Sequence, residues 1–165
     1  MSKSIILNNE EIVFKIRRIA FQIYEANIDE KEIVIAGISS NGYIFAKELV
    51  RVLKEISDMK ISLCEVKMNK KKPLEGVTTS LNSDAYANKS LVLVDDVLNS
   101  GATLMYAVRH FLEVPLKLFL TAVLVNRNHK KYPVKADFKG ISLSTSLHDI
   151  ITVEFDKGGA KAYLE

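Results

Sequence analysis

Hydrophobic positions along the chain recur at two spacings, and the alternation between them outlines the fold. Ile12, Ile16, Ile19 and Ile23 repeat three and four apart, which predicts a helix over 9–26 with Asn8 or Asn9 placed to cap it. IVIAG, 33–37, is a continuous apolar run ending in glycine, the mark of a strand buried on both faces. A second helix is expected over 41–56, with Ile44, Phe45, Leu49, Val52, Leu53 and Ile56 on its inner side. ISLCEVKM, 61–68, alternates and reads as a strand. LVLV, 91–94, is another buried strand, 102–113 a helix, and LKLFLTAVLV, 116–125, a further central strand. From Val134 onward only shorter strand-like pieces appear, among them ITVEF, 151–155. Residues 69–89 break the pattern. They are polar, hold Pro73 and Gly76, and form a stretch long enough to be either functional or disordered. Strands alternating with helices predict an α/β fold: a central, mostly parallel sheet with helices on both faces. With no repeat, low-complexity tract or linker, 1–165 reads as a single domain.

Composition narrows the picture only a little. At 165 residues, 48% hydrophobic and 26% charged, the chain can bury one real core. No apolar run approaches the roughly 20 residues of a membrane span, so no membrane partner is expected. MSKSIILNN is too weak for a secretory signal. The single Cys64 excludes an internal disulfide and suits a reducing cytosol; a cytoplasmic location and a buried structural thiol are expected. Net charge is +3, too small to announce nucleic acid. The basic residues cluster, however. Lys70, Lys71 and Lys72 are consecutive, and Lys130, Lys131, Lys135 and Lys139 lie near Arg127. Such runs are solvated loops or anion sites. His110, expected on a helix surface, His129 and His148 show no metal-ligand spacing with Cys64.

The stretch richest in chemistry is LVLVDDVLNSGAT, 91–103. A buried strand ends in two acids, Asp95 and Asp96, and a turn of small polar residues opens the next helix. Adjacent carboxylates in an apolar setting are costly unless hydroxyls or a cation meet them. The helix start, with Ser100, Gly101 and Thr103, offers backbone N–H groups and hydroxyls to an anion. One end therefore suits hydroxyls or a metal and the other a phosphate, and a sugar phosphate satisfies both. Two rivals fail on sequence: no G-x-x-x-x-G-K-[ST] loop supports a nucleotide hydrolase, and no G-x-G-x-x-G supports a dinucleotide site. Simple helix capping by Ser100 leaves the paired acids unexplained.

This stretch resembles the phosphoribosyl pyrophosphate signature of type I phosphoribosyltransferases: an apolar strand, two acids, a short spacer, then [ST]-G-x-T. A second stretch, AVLVNRNHKKYPVKADFKGISLSTS, 122–146, is similar to the pyrimidine operon attenuator proteins that also act as uracil phosphoribosyltransferases. Arg127, His129, Pro133, Ala136, Asp137, Phe138, Gly140, Thr145 and Ser146 carry that likeness.

The resemblance implies transfer of a phosphoribosyl group to a nucleobase, with uracil giving UMP. Asp95 and Asp96 would hold the ribose hydroxyls. Asn99, Ser100, Gly101, Ala102 and Thr103 would cradle the 5′-phosphate. Ser39, Ser40, Asn41 and Gly42 occupy the pyrophosphate loop, where attenuator relatives usually carry lysine and arginine in place of Ser39 and Asn41. Asn126, Phe138 and Lys139 would border the base. Residues 69–89 take the place of a mobile hood, and Lys67, Lys70, Lys71 and Lys72 are placed to meet the leaving group. Mg2+ would arrive with the pyrophosphate; no side-chain motif for a resident metal is seen. A homo-oligomer, dimer or tetramer, is implied. Two other functions stay open. One is an RNA-binding attenuator or nucleotide sensor, with Arg127, Lys130, Lys131 and Lys135 as its basic surface. The other is a hypoxanthine/guanine-type enzyme, although such enzymes tend to place lysine at the Asn126 position and an acid at the Asn99 position.

Overall fold

The structure is a computed structural model and describes residues 3–165. Strand β1 (Ser4–Leu7) leads into helix α1 (Asn9–Ala26). The Asn8 side chain accepts from the Glu11 N–H and the Glu11 carboxylate accepts from the Asn8 N–H, a reciprocal cap that fixes where α1 begins. Ile12, Ile16, Ile19 and Ile23 all turn inward, as their spacing demands. Strand β2 (Glu32–Ile38), helix α2 (Asn41–Ile56) and strand β3 (Lys60–Met68) follow. On α2 the buried side is Phe45, Ala46, Leu49, Val50, Val52 and Leu53; Ile44 and Ile56, expected with them, are only half-buried.

Beyond β3 the polar stretch is folded in short pieces rather than left as open loop. A single turn at Pro73–Glu75 leads to strand β4 (Val77–Thr79), which pairs antiparallel with β3. Tyr86 anchors the far end, buried edge-on against Phe111 at 5.0 Å between ring centres. Strand β5 (Ser90–Leu98), helix α3 (Ala102–Phe111), strand β6 (Leu118–Arg127) and strand β7 (Phe138–Leu143) complete the main sheet. Its order is β4-β3-β2-β5-β6-β7, parallel except for β4. α1 and α2 cover one face through a core that includes Ile33, Ile35, Val92 and Leu124. α3 covers the other through Val34, Leu91, Leu93 and Phe111. Cys64 is fully buried on the α3 side, and burial pushes its thiol pKa up. His110 is not on the surface as expected: it is half-buried, its ring edge-on to Phe111 at 5.4 Å.

A second sheet was not foreseen as such. Strands β8 (Ile151–Asp156) and β9 (Gly159–Leu164) form a hairpin, and β1 joins its β9 edge, all antiparallel. The pairing Ser4↔Leu164 spans nearly the whole chain, and Lys3 ties it down between Glu154 at 3.1 Å and Glu165 at 2.9 Å.

The topology locates the crevice. From β2 the chain crosses outward to β3, and from β5 it crosses the other way to β6. Between the carboxyl ends of β2 and β5 the crossovers diverge, which is where open parallel sheets bind ligands.

Candidate active site

Asp95 and Asp96 sit at that divergence. They do not end β5, as the run of apolar residues suggested; the strand continues to Leu98. What ends is the pairing with β2, at Gly37↔Val94. Asp95 is thus the first β5 residue beyond the β2 ladder, while β6 still supports it through Asp95↔Val123. The strand is held on one side and open on the other.

Both acids are nearly enclosed, Asp95 3% and Asp96 9% exposed. Asp95 Oδ1 accepts from the Asp96 N–H at 2.9 Å. Lys70, two residues past β3, reaches over with Nζ 3.1 Å from Asp95 Oδ1 and 3.8 Å from Asp96 Oδ1. Burial and the neighbouring Asp96 charge push the Asp95 pKa up to about 8, against the opposing pull of Lys70. Its charged form is poorly met by the fold, and a cation or hydroxyl donors would stabilise it.

The turn after β5 frames the other end of the same cavity, of about 210 Å³, which Asn99, Ser100, Gly101 and Thr103 line together with the two acids. Gly101 caps α3 with φ +91°, a left-handed conformation that favours glycine. A Cβ there would come 2.6 Å from Val134 Cγ1. Lys131 and Tyr132 donate their N–H groups to the Ser100 carbonyl at 2.9 and 3.0 Å, so the loop after β6 clamps the turn from outside. Ala102 is the first residue of α3 and does not line the cavity. The Ser100 hydroxyl oxygen accepts only a long bond, 3.3 Å, from the Ala102 N–H.

The turn after β2 behaves differently. Ser39 donates its hydroxyl to Glu65 at 2.7 Å, and its N–H bonds the Val66 carbonyl. Asn41 donates to the Val153 carbonyl at 2.7 Å, tying this turn to β8. Ser40 is exposed and makes no side-chain cap to α2. Gly42 lies directly behind the acids: a Cβ there would come 2.8 Å from Asp95 Oδ1 and 2.9 Å from its Cα. Of these four residues only Asn41 lines the cavity.

The residues expected at the base are spread out. Asn126 is buried at the end of β6, its amide nitrogen 3.2 Å from the Ser142 hydroxyl and its Oδ1 without a partner among the described residues. Phe138 packs half-buried against the α1–α2 core, and the Lys139 carbonyl accepts from Arg18 at 3.0 Å; none of the three lines the cavity. In the basic loop Lys131 and Lys135 are exposed and Lys130 half-exposed. Arg127 is engaged inward, donating to Thr145 Oγ1 and the Ser146 carbonyl at 2.9 Å each and to Asn99 Oδ1 at 3.3 Å.

Ile151, Thr152 and Val153 of β8 also line the cavity, which sequence reasoning missed. Their only local signal was the alternation of ITVEF. The expected hood is therefore shared: the 69–89 arm supplies Lys70 and the second sheet supplies β8. Among the described residues no group of three His, Cys, Asp or Glu could hold a metal. No helix among them is long and apolar enough to cross a membrane.

Comparison with known proteins agrees with this geometry. Residues 2–156 match the phosphoribosyl transferase domain family. The Bifunctional protein PyrR of Streptococcus pneumoniae (strain CGSP14) is 34% identical over 143 residues, 84% of this chain and 82% of that protein. The same name and figures hold for the protein of strain TIGR4. Among solved structures, a hypoxanthine-guanine phosphoribosyltransferase of Bacillus anthracis aligns with TM-score 0.73 and 19% identity, over 87% of this chain and 85% of that one. The hypoxanthine phosphoribosyltransferase of Trypanosoma cruzi gives 0.75 and 16%, over 90% and 84%. At such identities these two show a shared fold and nothing finer. The family match, the near relatives and the acid-pair turn agree: this chain belongs to the type I phosphoribosyltransferases and is a phosphoribosyltransferase close to the PyrR proteins.

Proposed function

We propose that the chain, as one domain, transfers the phosphoribosyl group of phosphoribosyl pyrophosphate to uracil. The observation that carries this reading is one cavity lined at one end by two buried carboxylates and at the other by a helix-opening turn. Asp95 and Asp96 accept the ribose hydroxyls, and residues 99–103 hold the 5′-phosphate through N–H groups and the hydroxyls of Ser100 and Thr103. In the reaction the C1–O bond breaks and its electron pair leaves with the pyrophosphate. A ring nitrogen of the base bonds to C1, and its proton is released. Positive charge grows on the sugar beside the two carboxylates, which is where electrostatic help is worth most.

Mg2+ comes with the pyrophosphate as part of the substrate, where it neutralises phosphate charge. The residues present fit that role: two nearly enclosed carboxylates line the cavity that the sugar and its magnesium-bound pyrophosphate would enter. Asn126, whose Oδ1 has no partner among the described residues, would accept the N3–H of uracil at the end of β6, although it does not itself line the cavity.

The curated relatives are named PyrR, and the pyrimidine reading follows them and the 122–146 stretch. Incubating the protein with phosphoribosyl pyrophosphate, magnesium and either uracil, hypoxanthine or guanine tests it. Pyrophosphate release is expected to be fastest with uracil; none with any base would overturn the enzyme reading, and preference for a purine would overturn uracil. A second reading, an RNA-binding regulator of pyrimidine genes, draws on the exposed Lys131 and Lys135 and on Lys130 beside them. Arg127 drops out of that surface because its guanidinium is engaged within the fold. Binding to leader RNA that falls steeply with salt is its expected mark.

A further inference from the structure

Of the side chains lining the cavity, Lys70 is the single cation among the described residues. The substrate proposed for this cavity carries a phosphate and a pyrophosphate. The turn after β2, the expected pyrophosphate loop, holds no cation, and the side chains of Ser39 and Asn41 are already committed to Glu65 and Val153. Yet Lys70 is not aimed at a place for an anion. It rests on Asp95 and Asp96, where the sugar hydroxyls are to go.

Its backbone is fixed. Asn69 Oδ1 accepts from the N–H groups of Lys71 and Lys72 at 3.0 and 3.2 Å, and Asn69 Nδ2 donates to Glu75 Oε2 at 2.9 Å. This turn begins one residue past β3 and holds the base of the Lys70 side chain still. The long stem stays partly exposed, 39%, and is free to swing. A lysine head is a flexible point charge, suited to changing partners in a way a forked guanidinium is not.

We infer that Lys70 is a cation with two stations: parked on Asp95 and Asp96 in the free enzyme, and handed to the leaving pyrophosphate when the sugar takes the acids. The two stations are close by the chemistry of the sugar. C1, which bears the pyrophosphate, is bonded to C2, whose hydroxyl the acids accept. Displacing the ammonium from the carboxylates therefore frees it one carbon from the leaving oxygen. In the parked state it partly meets the charge of two adjacent buried acids, which would otherwise repel each other uncompensated. Burial and the Asp96 charge still push the Asp95 pKa up against the pull of Lys70, so the parked cation only partly offsets the cost of enclosing the pair.

The inference rests on the sugar-phosphate reading of the cavity and separates from it by the ligand used. Titrate ribose 5-phosphate and inorganic pyrophosphate separately, with saturating magnesium, into wild type, K70M and K70R. Removing the parked competitor is expected to tighten ribose 5-phosphate, by about threefold. Removing the leaving-group cation is expected to weaken pyrophosphate by about tenfold or more, the scale of a lost charge-assisted hydrogen bond. K70R is expected to recover most of the pyrophosphate affinity. Opposite signs for the two ligands mark a hand-over, which a merely structural lysine would not produce. Equal weakening of both ligands, or no change in either, would overturn the inference and leave the sugar-phosphate site standing. If wild type binds neither ligand, the proposed function fails and takes this inference with it.

Discussion

Two turns join a strand to a helix at the same edge of the same sheet, and they spend their side chains in opposite ways. After β2, Ser39 and Asn41 close short bonds of 2.7 Å each onto Glu65 and Val153. After β5, the side-chain contacts of Asn99 and Ser100 are long, 3.3 Å each. The first turn is built into the frame, and it ties the main sheet to the second one. The second turn keeps its donors and hydroxyls loosely held beside a cavity. Position at a sheet edge is therefore not enough to make a ligand loop. What matters is whether the polar groups have already been satisfied by the fold.

Substitutions can break or sharpen that contrast. The largest effect is expected at the acids. D95N/D96N keeps the shape of the side chains and removes the carboxylate charge the pair can carry, so kcat/KM should fall by about a thousandfold or more, the scale of losing transition-state electrostatics. Its thermal midpoint should not fall, because the cost of burying ionisable carboxyls side by side is gone. A parallel loss of fold would mean that the acids are structural.

Gly101→Ala comes next. It demands a left-handed conformation from alanine and drives a Cβ to 2.6 Å from Val134. A cost of about 1–3 kcal/mol is expected, with KM for phosphoribosyl pyrophosphate raised about tenfold in steady-state assays.

Asn41→Ala should act on stability. Losing the bond to Val153 is expected to cost about 1 kcal/mol in denaturant melts, with pyrophosphate affinity changed by less than about twofold. A large affinity loss without a stability loss would erase the contrast between the two turns.

The pH dependence reads the same acids through stability instead of activity. Asp95 titrates near 3.8 when unfolded and near 8 when folded, so the folded state holds the extra proton between those values. The stability this gives is fully present below about pH 4 and is lost as pH rises through about 8. The thermal midpoint of wild type should drop across that window by roughly 4 °C or more, and that of D95N should drop less.

Local pattern carried much of the layout. The isoleucine ladder of α1 and the apolar runs of β2, β5 and β6 announce themselves within a few residues, and so does the acid pair with its small-residue turn. What local pattern could not carry are pairings made across the chain. β1 needs a partner more than 150 residues away. β8 lines the cavity only because β9 and β1 hold it there. Asn41 reads as a loop residue until the Val153 carbonyl is in place. Phe138 looks like a stacking ring in sequence, but pairing at Ala122↔Phe138 turns it toward the core. Arg127, one of a basic cluster by composition, is drawn inward by Thr145 and Ser146, which lie 18 and 19 residues on.

The most direct test of the acid-and-turn pocket is a crystal structure with ribose 5-phosphate bound. The expected map shows the ring hydroxyls on Asp95 and Asp96, the phosphate against the N–H groups of residues 99–103, and Lys70 displaced from the carboxylates. Sugar phosphate bound elsewhere, or bound while Lys70 still sits on the two acids, would contradict it.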